Sequence, residues 1–205
     1  MIRGLLAEFG IDLPRGITHA LAFARRAIAG EAHEVPPLAA RVITSLAEQA
    51  LEGQARIRAL ERELMAWHRS SDMARRIATV PGVGLLGATA LAATVTDPSQ
   101  FRSGRQFAAW LGLTPLQNSS GGKERLGRIS KMGDKYIRRL LILGMTSLVR
   151  RNRSDPAADP RITALLANKP ARLATVAMAN RAARAIWAIM ARGEVYRPRL
   201  PVVAS

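Results

Sequence analysis

The sequence contains no cysteine among its 205 residues. This absence excludes disulfides, zinc–thiolate sites and a cysteine nucleophile, and it is compatible with a reducing cytoplasm. No run of 18 apolar residues occurs, and Glu8 and Asp12 interrupt the apolar stretch near the N-terminus. We therefore expect neither a membrane-spanning helix nor a signal peptide, and we expect a cytoplasmic protein.

Acidic side chains are also scarce, with 15 Asp and Glu against 31 Lys and Arg and a net charge of +16. Residues 1–71 carry nine basic and eight acidic side chains, so +15 of the charge lies in residues 72–205. A genome that favours arginine would explain the excess of arginine over lysine but not this asymmetry. With 48% hydrophobic residues the chain should fold. The charge predicts a nucleic acid as the main partner, and an anionic membrane surface is the lesser alternative.

The charge boundary predicts two domains, a helical segment at 1–71 and a basic domain at 72–205. Apolar side chains recur at helical spacing through residues 38–68, after Pro36 and Pro37, which indicates a long amphipathic helix interrupted by Gly53. This helix is either a coiled-coil arm or an ordinary core-facing helix. A shorter helix is predicted at 17–29.

The sequence of the basic domain indicates short helices separated by Gly and Pro, and it contains little evidence for strands. The predicted fold class is therefore mostly α. The predicted helical regions are 77–95, 105–111, 134–150 and 170–192, and residues 114–129 are predicted to be a loop.

Residues 77–95 contain a helix, the turn Pro81-Gly82-Val83-Gly84 and a second helix. This pattern resembles the helix-hairpin-helix motif of DNA-binding proteins. Glycines at a helix start let backbone N–H groups approach a phosphate closely, which would position DNA without reading its sequence. A plain turn between two helices is the alternative, since such turns also favour glycine.

Residues 114–131 contain two serines, a pair of glycines and a series of cations. Lys123, Arg125, Arg128 and Lys131 follow Ser119 and Ser120, and the spacing is not that of a Walker A loop. One interpretation is a phosphate-binding loop. The other makes one serine a nucleophile on a phosphodiester, with the cations stabilising the charge that develops on phosphorus.

The following helix is predicted to carry Lys135, Arg138 and Arg139 on one exposed surface, opposite Ile137 and its apolar neighbours. We expect these three cations to contact the DNA backbone, and a solvated surface is the alternative. Asp134 is placed to cap the helix. The three histidines lie far apart without metal-ligand spacing, so no metal site is predicted.

Taken in order, these blocks resemble the C-terminal transposase domain of the IS-110/IS-1111 insertion-sequence family, which includes the Piv invertases. The matching blocks are PGVG, DPSQFRSGRQFAAWLGLTP, SSGGKERLGRISKMGDKYIRRLLILG and KPARLATVAMANRAARAIWAIM, and the resemblance extends from about Met73 to Pro198. It implies a recombinase that carries out DNA transposition through a covalent phosphoserine. The family serine maps to Ser120, with Ser119 as the alternative.

The resemblance also implies parts that residues 1–71 do not supply. In the family, an N-terminal RuvC-like domain carries an Asp-Glu-Asp-Asp set that binds Mg²⁺, and a guide (bridge) RNA and an oligomeric assembly complete the site. The first 71 residues have scattered acids on helical segments. We therefore expect the serine-bearing half of a transposase without its own cofactor, truncated and inactive alone. A non-enzymatic helix-hairpin-helix nucleic-acid binder is the alternative.

Overall fold

A computed structural model describes residues 1–31, 35–117 and 126–197 of the chain. Within them the chain is mostly helical, as predicted. The helices are α1 (Ile2–Glu8), α2 (Ile17–Ile28), α3 (Pro37–Ser70), α4 (Asp72–Ala78), α5 (Leu85–Thr94), α6 (Gly104–Trp110), α7 (Lys135–Ser154), α8 (Pro160–Asn168) and α9 (Ala171–Arg192). The strands are β1 (Pro115–Gln117) and β2 (Leu126–Ile129). No helix of these three ranges is long and apolar enough to cross a membrane.

The chain divides into two compact units, residues 1–63 and 64–205. In the first unit, α1, α2 and the start of α3 enclose a small core that includes Leu6, Phe23 and Ile43. The predicted helix is confirmed as α3, but the predicted interruption at Gly53 was wrong. A glycine inside a helix costs about 1 kcal/mol, and a helix of 34 residues tolerates that cost.

The apolar residues that defined the amphipathic pattern of α3 are largely exposed. Val42 and Leu60 are half exposed, and the buried positions of α3 are Ile43 and Ala47. The periodicity therefore identified the helix correctly but not the face that it buries. A coiled-coil role for α3 stays a prediction.

In the second unit, α9 packs against α6 and α7, and its buried face is built largely from small residues. Ala179, Ala182 and Ala183 lie fully or nearly fully buried among larger side chains such as Phe107 and Ile186. The large apolar residues at the two ends of this helix differ in burial. Met190 is buried, but Leu173 at the start of the helix is half exposed.

Two further differences concern local structure in the second unit. The region predicted as a loop at 114–129 contains an antiparallel pair of short strands, β1 and β2. Helix α8 was not predicted at all, although Asp159 and Pro160 supply a cap and a first-turn proline. Strands of three or four residues are too short to show the period-two alternation that would have revealed them.

Candidate nucleic-acid interface

The hairpin of β1 and β2 lies within residues 114–131, the segment rich in Ser, Gly and basic residues that we call the Ser/Gly/basic loop. β1 pairs with β2 so that Pro115 faces Ile129 and Gln117 faces Leu126, with an irregular register between these pairs. Residues 118–125 connect the strands, and Ser119, Ser120, Lys123 and Arg125 lie in this segment, outside the described residues. The described part of the site is therefore the base of the hairpin.

Backbone hydrogen bonds continue the hairpin below its strands. The amide of Ser130 donates to the Thr114 carbonyl oxygen at 2.9 Å, and the amide of Lys131 donates to that of Gly112 at 3.1 Å. Lys131 has a φ of 55°, in the left-handed region that favours glycine. The chain thus turns sharply where it leaves the hairpin.

The same turn packs tightly against the end of α6. Gly112 and Gly133 both have positive φ, and a Cβ on either would collide with backbone of the opposite segment, at Met132 for Gly112 and at Trp110 for Gly133. No other residue type fits at these two positions without displacing backbone. The base of the hairpin is therefore fixed by backbone contact.

Arg138 joins this base to α7, and the prediction that it lies on an exposed surface was wrong. Its side chain is buried, and Nη1 donates to the carbonyl oxygens of Leu111 and Met132 at 2.9 Å each. A buried guanidinium must have such partners, because an unpaired buried charge is very costly. Arg138 therefore holds the fold together and is not presented to DNA.

The neighbouring cations are exposed. Four of them reach solvent: Arg128 on β2, Lys131 at the hairpin exit, and Lys135 and Arg139 on the first turns of α7. Asp134 caps α7, and its Oδ1 accepts from the amide of Ile137 at 2.8 Å, as predicted. Because this carboxylate occupies the start of α7, an anion at this surface would be bound by the side chains and not by the helix N-terminus.

The Pro-Gly-Val-Gly turn joins α4 to α5 and divides into a packed part and an open part. Gly82 has a φ of 80°, and a Cβ on it would meet the end of the Met145 side chain on α7. A Cβ on the neighbouring Gly144 would collide with the backbone of Gly82. Val83 is buried, and its amide donates to the Val80 carbonyl oxygen at 3.0 Å. Packing and internal hydrogen bonding thus occupy two of the four residues predicted to contact DNA.

The other two residues of the turn are exposed. Pro81 has no N–H to donate. Gly84 is the N-cap of α5, offers no side chain to the first turn of that helix, and has no atom within 4 Å of the place that a Cβ would occupy. A phosphate approaching this turn would therefore meet Gly84 and the first amides of α5.

Sequence reasoning missed a second basic cluster, which we call the α9 groove. It is lined by six arginines, two aromatic residues and several small side chains, the arginines being Arg105, Arg161, Arg181, Arg184, Arg192 and Arg197. The spacing of 181, 184 and 192 would have placed three of them on one side of α9. Their convergence with α6 and α8 required the tertiary structure.

These features define a helical domain with an anchored β-hairpin, an open glycine turn and two exposed basic surfaces. Residues 74–159 match the family model described as "Transposase IS116/IS110/IS902 family". The match covers the α4–α5 turn, the hairpin and α7. This part of the chain is therefore similar to the IS116/IS110/IS902 family of transposases.

The chain is similar to several curated transposases over nearly all of its length. It is 42% identical over 200 residues to a "Probable family 20 transposase" of Pseudomonas aeruginosa, covering 96% of this chain and 59% of that protein. It is 38% identical over 198 residues to the "Transposase for insertion sequence element IS1111A" of Coxiella burnetii, covering 96% and 54%. The chain thus spans between one half and three fifths of these relatives.

Proposed function

We propose that the chain is the DNA-binding, serine-bearing part of an insertion-sequence transposase. The observation that carries the proposal is the family match at 74–159, which contains the hairpin, its Ser/Gly/basic loop and the exposed cations beside it. DNA is the partner that a transposase requires, and the charge of residues 72–205 suits it. In this role the chain acts in DNA transposition.

The proposed nucleophile is Ser120, with Ser119 as the alternative. Its Oγ attacks a scissile phosphorus and forms a P–Oγ ester while the bond to the leaving strand oxygen breaks. The hydroxyl proton passes to water, and the leaving oxygen takes up a proton from water, so the step is balanced. The phosphodiester retains its single negative charge. A strand hydroxyl later attacks the same phosphorus, the P–Oγ bond breaks, and the serine hydroxyl is released.

The cations have the complementary role of stabilising charge on the phosphoryl oxygens. Arg128 and Lys131 lie on the side of the hairpin that is fixed to α6 and α7, and Lys123 and Arg125 are close to the serines in sequence. A donor that is held in place before the reaction stabilises the transition state without reorganisation. The hydrogen bonds of Arg138 support this role indirectly, by fixing the base.

The metal-binding part is proposed to come from a RuvC-like domain. No group of three or more His, Asp or Glu side chains in the parts of the chain that the structure describes could hold a metal ion. These residues therefore do not fit a Mg²⁺ site, and the proposal places the metal ligands outside them. A guide (bridge) RNA and an oligomeric assembly with that domain are further parts of the proposal.

The decisive experiment traps the covalent intermediate. The chain is mixed with a RuvC-like domain supplied in trans, the terminal RNA of the element, and a nicked DNA substrate that cannot be religated. We expect a protein–DNA adduct that is stable to denaturation and absent from Ser120→Ala. Ser119→Ala identifies the alternative nucleophile, and Ser154→Ala, an exposed serine at the end of α7, is the matched control.

Two outcomes would overturn the proposed chemistry. One is an adduct that persists in both single variants and in the double variant. The other is DNA binding without any adduct when all components are present, which would indicate the non-enzymatic helix-hairpin-helix binder. Binding alone does not distinguish the two, because both functions predict an affinity that falls steeply with salt.

A further inference from the structure

The α9 groove is an open cavity of about 1240 Å³ in the second unit. Its walls come from the start of α6, one side of α8, the second half of α9 and residues 196 and 197. Among the described residues that line it, six are arginines and none is an aspartate or glutamate. Such a concentration of one charge is costly to maintain without a counter-ion, which makes the groove a candidate anion site.

Two of the six arginines already have acidic partners. Arg161 donates through Nε and Nη2 to the carboxylate of Asp159, at 3.0 and 2.9 Å. Arg192 lies 3.4 Å from a carboxylate oxygen of Glu194, and its guanidinium is 5.2 Å from the centre of the Trp187 ring. These two side chains are held in place and form part of the wall.

The remaining four arginines have no ion pair with any residue in the described ranges. They are Arg105, Arg181, Arg184 and Arg197, and all four are exposed. Arg181 and Arg184 project from neighbouring positions on α9, and Arg105 projects from the α6 segment that packs against Arg184. Guanidinium groups in this arrangement suit a ligand with several anionic groups in series.

The lining of the groove also includes apolar and aromatic side chains. They include Trp187, Tyr196 and Leu165, and the indole Nε1 of Trp187 is buried without a hydrogen-bond partner within the described residues. A duplex presents only backbone and groove edges, so it would leave such side chains unused. A single strand offers phosphates to the arginines and base faces to the aromatic side chains.

The groove and the hairpin base lie at opposite ends of α6. Gly104 at the start of α6 packs against the backbone of Arg184, whereas Leu113 just past its end accepts a hydrogen bond from Asn180 Nδ2 at 3.2 Å. The groove arginines are therefore separated from the hairpin base by the length of α6, which is seven residues.

We propose that the α9 groove binds the sugar–phosphate backbone of a single-stranded nucleic acid, distinct from the DNA at the hairpin. The inference rests on the proposed function only in that both require a nucleic-acid partner, and it does not depend on the serine. DNA and RNA share the phosphodiester chemistry that the groove recognises. A phosphorylated or acidic protein is the competing occupant, and the aromatic side chains of the lining favour the nucleic acid.

The experiment measures how the affinity of the full chain for a labelled single strand depends on salt. The probes are a 20-nucleotide single-stranded DNA and an RNA of the same sequence. The variants are Arg181→Ala/Arg184→Ala and, from another helix, Arg105→Ala. The control is Arg150→Ala/Arg172→Ala, which removes two exposed arginines of α7 and α9 that do not line the groove.

Each phosphate contact to a single strand contributes about 0.7 to the slope of log affinity against log salt. We therefore expect the slope to fall by about 1.4 in Arg181→Ala/Arg184→Ala and by about 0.7 in Arg105→Ala, and to stay unchanged in the control. The double groove variant should bind the single strand about tenfold more weakly at low salt. The probe that binds with the higher affinity shows whether the groove binds single-stranded DNA or RNA.

Equal slopes for the groove and control variants would overturn the proposal, as would displacement of both probes by poly-glutamate at equal charge concentration. Thermal unfolding of each variant shows that the fold is retained, which is expected because the three side chains are exposed. The formation of a covalent adduct reports on the serine chemistry separately. A smaller salt slope in the groove variants, without a covalent adduct in the unmodified chain, would support the groove and reject the serine nucleophile. An adduct together with an unchanged salt slope would support the nucleophile and reject the groove.

Discussion

The Nη1 atom of Arg138 lies 2.9 Å from the carbonyl oxygen of Leu111, a residue 27 positions earlier in the chain. The same nitrogen donates to Met132, so one side chain ties the end of α6 to the segment that leaves the hairpin. In the sequence this arginine is indistinguishable from its exposed neighbour Arg139. In the structure it fixes the base of the β1–β2 hairpin, whose connecting segment contains Ser119 and Ser120.

Replacing Arg138 by methionine should therefore destabilise the second unit. The change removes two hydrogen bonds from a charged donor and leaves two carbonyl groups without that partner, for an expected loss of about 1.5–3 kcal/mol. Urea unfolding measures it. Arg139→Met, the exposed neighbour, should change the free energy of unfolding by less than about 0.5 kcal/mol. Equal effects of the two substitutions would contradict the role assigned to Arg138.

Gly144→Ala should destabilise the protein, because the new methyl group would meet the backbone of Gly82 in the α4–α5 turn. Backbone cannot move aside as a flexible side chain can, so we expect a loss of about 1–3 kcal/mol. Gly53→Ala is the control within a helix, since a Cβ at that position would have no atom within 4 Å and alanine is the better helix former. That substitution should stabilise α3 by about 0.5–1 kcal/mol in thermal or urea unfolding. If Gly144→Ala left the free energy of unfolding unchanged, the turn would not pack against α7 as described.

Gly84→Ser should separate folding from DNA binding at the same turn. Serine is a preferred N-cap, and the backbone at Gly84 has a φ of −85° with open space beside it, so stability should be unchanged or slightly raised. The new hydroxyl would accept from the first amides of α5, which would then be less available to a phosphate. We expect weaker duplex binding in a titration at low salt. Gly84→Ala lacks the hydroxyl and tests whether size alone has this effect, and unchanged binding in both variants would remove the turn from the interface.

Asp159 gives the second unit a pH-dependent contribution to stability. The Arg161 side chain, hydrogen-bonded to its carboxylate, lowers the pKa of Asp159 below its ordinary value of 3.8. A carboxylate with a lowered pKa stabilises the folded state above its unfolded pKa, and this contribution is lost as the pH falls through the folded pKa. Asp159→Asn keeps a capping side chain but removes the charge.

The free energy of unfolding of Asp159→Asn should thus be about 1 kcal/mol below that of the unmodified chain at neutral pH. The difference should shrink on acidification through the range below pH 3.8. Asp155→Asn, an exposed position four residues earlier, is the control and should show no such trend. A difference that stays constant with pH would mean that the charge of Asp159 is not what stabilises α8.

Several local features were predictable because their signals are read along the chain. Helix α3 begins at the second of two consecutive prolines, and the cap of α7 is an aspartate directly before the helix. Both helix starts were predicted correctly. The family resemblance depended on linked sequence blocks and was confirmed for residues 74–159. The roles of Ser119 and Ser120 stay predictions.

Other features depend on contacts between residues that are distant in sequence. Arg138 and Arg139 differ by about 100° around one helix, and only the position of α6 determines which of them is buried. Gly82 reads as a phosphate-binding glycine in the sequence, yet the close approach of Gly144 gives it a packing role. The α9 groove brings together arginines that are up to 92 positions apart, from Arg105 to Arg197.

The sequence by itself determined the helical class, the location of the charge and the transposase family that residues 74–159 resemble. Periodicity, capping residues and composition act over a few neighbouring residues, so a single chain displays them. The tertiary structure decided which cations are available to a nucleic acid and which one holds the hairpin in place. Burial depends on contacts between residues distant in sequence, and the same arginine is a ligand-binding group or a structural one according to the carbonyl groups that surround it.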